Sequence, residues 1–226
     1  MIRGPRFAWT GVFTSLLLVF GCLVPARAAP MGPIKVANAS DLSLPATDTP
    51  PGFTARPDRD QLVSPAILRS WYGAHLQGSL KHEGFLVGYH GWLDGAGTPD
   101  LPFVTYDMYA FGSSQGAQAG QATLSRLVQG LQTASQDARL PSNTTTWTDG
   151  TETFGAGNQA FAVSEVVFQQ ANVLVIVVAF NQGGTANAIS EALRNATTVG
   201  VSCETFLKAR EAASIRHAGT KSPVVP

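Results

Sequence analysis

The sequence holds two cysteines in 226 residues, and only Cys203 lies outside the first thirty positions. A small exported domain that depended on disulfides would carry a larger, even set, so this fold must be held by its core. Charge is sparse as well. Only 13% of residues are charged, 15 basic against 15 acidic, about half the usual share, which leaves Gln, Ser, Thr, Asn and Gly to supply most of the polar surface. Basic residues never gather into a run, and neutralising phosphates needs a concentrated basic face; a nucleic-acid partner is therefore not expected. Nor does any apolar run reach the roughly 18 to 20 residues that span a bilayer. The nearest, Val12 to Val24, is interrupted by Thr14, Ser15 and Gly21.

That run sits behind Arg3 and Arg6 and ahead of Ala26-Arg27-Ala28, the three-part build of a secretory signal. The pattern predicts a signal peptide over residues 1–28, cut after Ala28. A rival is acylation of Cys22, preceded by Gly21, which would give the domain a lipid anchor; Phe20 stands where lipoprotein signals usually have a small residue. Removing the segment takes three arginines and no acid, leaving 198 mildly acidic residues. A secreted, periplasmic or cell-envelope location follows. Asn38, Asn143 and Asn195 each open an Asn-X-Ser/Thr triplet, a motif too short to carry weight in a chain rich in Ser and Thr.

Residues 29–57 contain six prolines among small polar residues without sustained periodicity and read as a Pro-rich linker. Residues 217–226 have the same character and read as a flexible tail. A single globular domain is thus expected over 58–216, large enough for a sizeable core.

Within it, Ser64-Pro65 opens a helix, with serine as cap and proline at the first helical position; Ile67, Leu68, Trp71, Tyr72 and Leu76 form its apolar stripe. Phe85–Leu93 and Phe103–Phe111 read as a hairpin around the turn-rich Asp94–Asp100. A helix is expected from Gln115 to Ser135 on the spacing of Leu124, Leu127, Val128 and Leu131. Asp149-Gly150 suggests a two-residue hairpin turn between Thr144–Trp147 and Thr151–Phe154. Ala160–Gln169 and Val173–Asn181 follow, joined near Ala171-Asn172. The run Val173–Val178 is apolar on both faces and belongs at the centre of a sheet; Ala186–Thr197 and Ser202–Arg216 read as closing helices. This order predicts an α+β fold, an antiparallel sheet of about five or six strands with helices packed mainly on one face.

The sharpest chemical lure is Gly112-Ser113-Ser114-Gln115-Gly116, a G-x-S-x-G between a strand and a helix. In a nucleophile elbow that turn lifts the serine hydroxyl above the sheet and offers an N–H to the oxyanion, making Ser114 the nucleophile of a small secreted serine hydrolase. Against this, the preceding strand alternates and holds Asp107, whereas an elbow strand is buried on both faces. The only later histidine is His217, in the expected tail. A helix entry capped by serine is favoured.

Metal binding finds little support. His75 and His82, with Glu83 and His90 nearby, are two helical turns apart, about 10 Å, too far for shared zinc bonds of about 2 Å. Glu165, alone among apolar residues on its strand face, would have a raised pKa if buried; a solvated sheet face is the plainer reading. Cys203, near an expected helix start, is best read as a small buried hydrophobe. No cofactor or metal is expected.

The leading expectation is an exported, non-catalytic domain binding a small-molecule or protein partner. Alternatives are the hydrolase and a carrier of an apolar ligand. If helices claim the Val104, Tyr106 and Met108 face of the second strand, Asp107 and Tyr109 face solvent, and the hairpin register would set His90 and Trp92 beside them. Large amphipathic rings next to a carboxylate are the residues that anchor interfaces. The plainer alternative has Trp92 packed under a loop or the Pro-rich segment.

Overall fold

The computed structural model describes residues 33–95, 103–125, 131–134, 138–154 and 159–219. The signal segment, Cys22, most of the turn-rich loop after Asp94 and the last seven residues lie outside that set.

A short 3-10 turn, Ala39–Leu42, precedes strands β1 (Phe53–Ala55) and β2 (Gln61–Val63). Then come helix α1 (Pro65–His82), β3 (Phe85–Gly95), β4 (Phe103–Phe111), α2 (Ser114–Ser125), β5 (Leu131–Ala134), β6 (Thr145–Phe154), β7 (Gln159–Gln170), β8 (Val173–Gln182) and α3 (Ala186–Gly219). The eight strands form one antiparallel sheet in the order β1-β3-β4-β8-β7-β6-β5, with β2 also on β3. The fold is α+β with helices packed on an antiparallel sheet, as expected from the element order.

Central strands are the most apolar. In β8, Val173, Leu174, Val175 and Val177 are fully buried, because β4 and β7 flank it and helices cover it on both sides. One face packs Tyr106, Met108, Val166, Phe168, Val175 and Val177 against Ala192, Ala196, Val199, Cys203 and Leu207 of α3. The other packs Tyr109, Phe111, Leu174 and Ile176 against Leu68, Leu76 and Leu80 of α1 and Ala117 and Leu124 of α2. The helices thus divide between the faces instead of gathering mainly on one.

Ser64 begins α1 as its sequence suggests, its hydroxyl accepting from the Ile67 N–H at 3.4 Å with Pro65 in the first turn. Gly84, at φ +89°, ends it. Midway the helix breaks at Gly73, whose φ of +83° and ψ of 169° no helical residue adopts. The stripe that continues across this position in sequence is therefore two short helical pieces.

Four local expectations give way. Residues 33–57 are not a linker: Ile34, Leu42 and Leu44 are buried in the α3-side core, and β1 extends the sheet. The Asn172 side chain secures that segment, accepting from Ile34 N–H at 2.7 Å and donating to the Phe111 carbonyl at 2.8 Å. Asp149-Gly150 is no hairpin turn, because β6 pairs with β7 on both sides of it, with a register shift between Asp149 and Glu152; a bulge uses the conformational freedom of such a pair as readily as a turn does. The helix after Gly112 stops at Ser125, and Leu131 instead pairs with Thr148 in β5. Finally, the closing helices are one. Gly200 does not break α3, since a Cβ there would already touch Leu140 and Val166 at 3.4 Å, so glycine lets the helix approach β7 closely. Cys203 consequently sits in mid-helix, fully buried, and burial pushes its thiol pKa up.

Candidate functional site

Strand register decides which side chains meet on the α1 and α2 side of the sheet. His90 lies opposite Asp107, Trp92 opposite Thr105 and Gly88 opposite Tyr109, so His90, Trp92, Asp107 and Tyr109 share one face. Across β8, Thr105 is opposite Val178, which is opposite Glu165 on β7, and Glu165 is opposite Trp147 on β6. Glu165 therefore looks onto the same face as Asp107, two strands away.

The break at Gly73 places Trp71 and Tyr72 above this face. Trp71 meets the His90 ring edge-on at 5.5 Å and the Tyr72 ring at 6.2 Å. Both rings keep an open side, 40% and 38% exposed. The Tyr72 hydroxyl turns inward, and its pKa rises to about 12 through burial first and the charge of Asp107 second. Below it, Tyr109 is fully buried; burial first, then Asp107 and Tyr72 beside its hydroxyl, raise its pKa, although neither neighbour reaches the hydroxyl in good hydrogen-bond geometry. That isolation is costly, since a buried hydroxyl without a partner loses its solvation uncompensated.

His90 Nδ1 and Asp107 Oδ1 are 3.0 Å apart. Burial alone would lower the histidine pKa, but the hydrogen bond and charge of Asp107, with the charge of Asp60, outweigh it and raise the pKa. Glu165 is half-buried; burial, then the charge of Asp107, lifts its pKa to about 7. Among the described residues it forms no hydrogen bond or ion pair.

Trp92 serves elsewhere on the same face. Its ring stacks on Phe103 at 4.3 Å, Phe103 stacks on Phe180 at 4.5 Å, and the Arg59 guanidinium covers its outer side at 4.9 Å. The indole N–H donates to Asp94 at 2.8 Å, and Arg56 pairs with Asp94 and Asp58. Trp92 is thus enclosed by the residues around β1 and β2, and Tyr109 is buried, so neither stands as an exposed interface ring. Asp107, only 7% exposed, lies beneath Trp71 and Tyr72. Trp71 and Tyr72 thus cover part of the face expected to meet solvent.

Ser114 lies exposed at the first position of α2, and it is Ser113 that caps, its hydroxyl accepting from Gly116 N–H at 3.0 Å. Gly116 is glycine because a Cβ would collide with the Glu83 carbonyl oxygen at the end of α1. Among the described residues no histidine hydrogen-bonds Ser114, and the strand before it is antiparallel to both neighbours. Likewise no three His, Cys, Asp or Glu side chains are grouped to hold a metal ion. A surface cleft of about 670 Å³ between β1, the end of β8 and the start of α3 is lined by Asn181, Thr185, Glu191 and Arg194. It has none of the Leu and Val lining a carrier of apolar ligands needs.

Sequence reasoning singled out Glu165 and Asp107 separately but did not join them, and took Trp71 and Tyr72 for core stripe. Gly73 inside the helical pattern was the available signal. The raised pKa values have a consequence for stability. Glu165 holds its proton more tightly folded than unfolded, so its contribution is most favourable below its ordinary 4.5 and diminishes as pH climbs through about 7. His90 acts in the same sense at higher pH, its contribution present below 6.5 and lost above its raised folded value. Asp107, Asp60, Tyr72 and Tyr109 are the ionisable groups acting on or facing this pair. Melting temperature is expected to fall from about pH 5 to about pH 8, with the Glu165→Gln variant flattening the lower part of that slope. A wild-type melting temperature that rises over that range would contradict the burial of Glu165.

No family model matches the chain, and no curated protein matches it. Among solved structures, the extracellular domain of PknH from Mycobacterium tuberculosis is similar over 77% of this chain and 99% of its own, at 12% identity and a TM-score of 0.39. So faint a likeness transfers no residue and no role. Among the described residues, no helix is long and apolar enough to cross a membrane.

Proposed function

We propose that the chain is an exported, non-catalytic domain that binds a small molecule on the partly covered sheet face between α1 and β7. One observation carries the reading: the Tyr109 hydroxyl, without a well-formed hydrogen bond, stands beside Tyr72 and Asp107 on the face that also presents Glu165, which has no partner among the described residues. Glu83 Oε2 and Glu211 Oε1 are also buried without a partner, but the other oxygen of each carboxylate is hydrogen-bonded, whereas the Tyr109 hydroxyl has one oxygen only and gains from whatever completes it. Export is supported by the signal-like residues 1–28. That no histidine among the described residues hydrogen-bonds Ser114 speaks against the hydrolase, and Ser113 and Gly116 account for the motif by capping and close packing.

The test is a ligand-observed NMR screen of small amines, acids, sugars and nucleosides against the purified protein. Compounds are expected to bind wild type and to lose binding in Tyr72→Ala, a change at a partly open ring that leaves the buried core intact. A screen in which no compound binds, or in which Tyr72→Ala changes nothing, would overturn the reading.

A further inference from the structure

The cleft at the start of α3 lies on the α3 side of the sheet, away from the face just described. Four side-chain amides, Asn181, Gln182, Asn187 and Asn195, border its volume of about 670 Å³, and Glu191 and Arg194 are the charged residues that line it. Asn181 is 6% exposed. Its Nδ2 donates to the Glu191 carboxylate at 2.9 Å and to the Ala188 carbonyl at 3.4 Å. Both amide hydrogens are thereby committed, and Oδ1, which accepts no hydrogen bond among the described residues, is what this buried residue offers to the cleft. Glu191 is held at one oxygen by Asn181, and its other oxygen lies 3.7 Å from the Arg194 guanidinium, so the two charges offset each other at close range. Phe53 adds an apolar surface. It is half-buried beside the α3-side core, and its cross-strand partner is Gly95, which has no side chain to cover the ring.

An apolar ligand would find one ring and no Leu, Val, Ile or Met in this lining. A metal ion would find a single carboxylate, and a charged ligand would find its counter-charge already engaged by the opposite charge. A neutral ligand rich in hydroxyls meets amides that donate and accept side by side, as hydroxyls do themselves. The Phe53 ring gives its C–H face a surface that excludes water. The volume lies within the range of about 300 to 1,000 Å³ typical of small-ligand sites. We infer that this cleft is a second binding site, for a neutral saccharide of one or two rings. Asn181 Oδ1 and Glu191 accept from its hydroxyls, Asn187 and Arg194 donate to them, and Phe53 lies against the sugar ring.

Glucose, N-acetylglucosamine, maltose and cellobiose serve as neutral probes, with glucuronate and glucosamine as anionic and cationic counterparts. In titrations of the purified protein at neutral pH followed by amide NMR shifts, at least one neutral sugar is expected to perturb Phe53, Asn181 and Asn187 and to bind more tightly than either charged sugar. Asn187→Ala, at an exposed position, should weaken that binding about threefold or more, the size of one lost hydrogen bond. Glu191→Gln keeps an acceptor for Asn181 but leaves Arg194 uncompensated. Glucuronate should therefore gain about threefold over glucose relative to wild type, a shift in charge preference that a merely structural change would not produce. Tyr72→Ala is expected to leave sugar binding unchanged, which separates this cleft from the face between α1 and β7. The assignment would be overturned if no neutral sugar perturbed these residues, if a charged sugar bound wild type more tightly, or if Glu191→Gln left the charge preference where it was. Sugar binding lost in Tyr72→Ala and kept in Asn187→Ala would overturn the cleft and leave the other face as the site.

Discussion

Val177→Asp is expected to leave no stably folded protein. Val177 is fully buried in β8, opposite Tyr106 on one side and Val166 on the other, under the middle of α3. No cation among the described residues packs there. An ionised carboxylate at this position would be unpaired in an apolar core, a cost of several kcal/mol, and the loss of valine's packing adds to it. Domains of this size are stable by roughly 5 to 15 kcal/mol, so this change consumes most of that margin. Loss of the far-ultraviolet circular-dichroism transition and recovery only in the insoluble fraction are the expected readouts. One residue on, Val178→Thr is expected to cost about 1 kcal/mol or less, since Val178 is half-buried on the opposite face beside Thr105 and Glu165. A soluble, normally melting Val177→Asp protein would show that β8 does not lie at the centre of the sheet.

The central strand was legible because a run apolar on both faces has only one comfortable place in a sheet covered on both sides. The serine-proline start of α1, the β3 and β4 pairing and the tight connection of β7 to β8 were legible for a similar reason: each rests on neighbours in sequence. What escaped was non-local. Ile34, Leu42 and Leu44 are isolated apolar residues in a proline-rich stretch, and nothing in their surroundings reveals that a groove between α3 and the sheet receives them. Tyr106 receives the Leu44 N–H on its hydroxyl at 3.0 Å, a bond no local pattern predicts.

The candidate site shows the same division. Alternation along β3 and β4 was enough to put His90, Trp92, Asp107 and Tyr109 on one face once the register was known. That α1 would bend over this face depended on the positive φ of Gly73, and a glycine in a helical pattern is as often merely tolerated. That Glu165 would face Asp107 depended on β8 inserting between β4 and β7. Strand order is a property of the whole chain, and the hairpin signals on either side do not contain it.

The second large effect concerns the motif that looked catalytic. Gly116→Ala is expected to destabilise the protein by about 3 kcal/mol, the upper range for overpacking, because its Cβ would press on a backbone carbonyl at the end of α1, and not on a side chain that can rotate away. Relief requires α2 to move off α1, which disturbs Ala117 and Leu124 in the core beneath. Ser113→Ala removes the cap to the Gly116 N–H and should cost about 1 kcal/mol. Ser114→Ala, at an exposed position whose hydroxyl bonds nothing among the described residues, should stay within about 0.5 kcal/mol. Urea melts of the three variants therefore rank Gly116 first, Ser113 second and Ser114 last. A nucleophile elbow predicts a different signature: Ser114→Ala would abolish labelling by a fluorophosphonate probe that the wild type and Ser113→Ala both take up. Labelling confined to Ser114 would restore the hydrolase reading; the stability ranking without labelling leaves the glycines and Ser113 as the reason the sequence has this pattern.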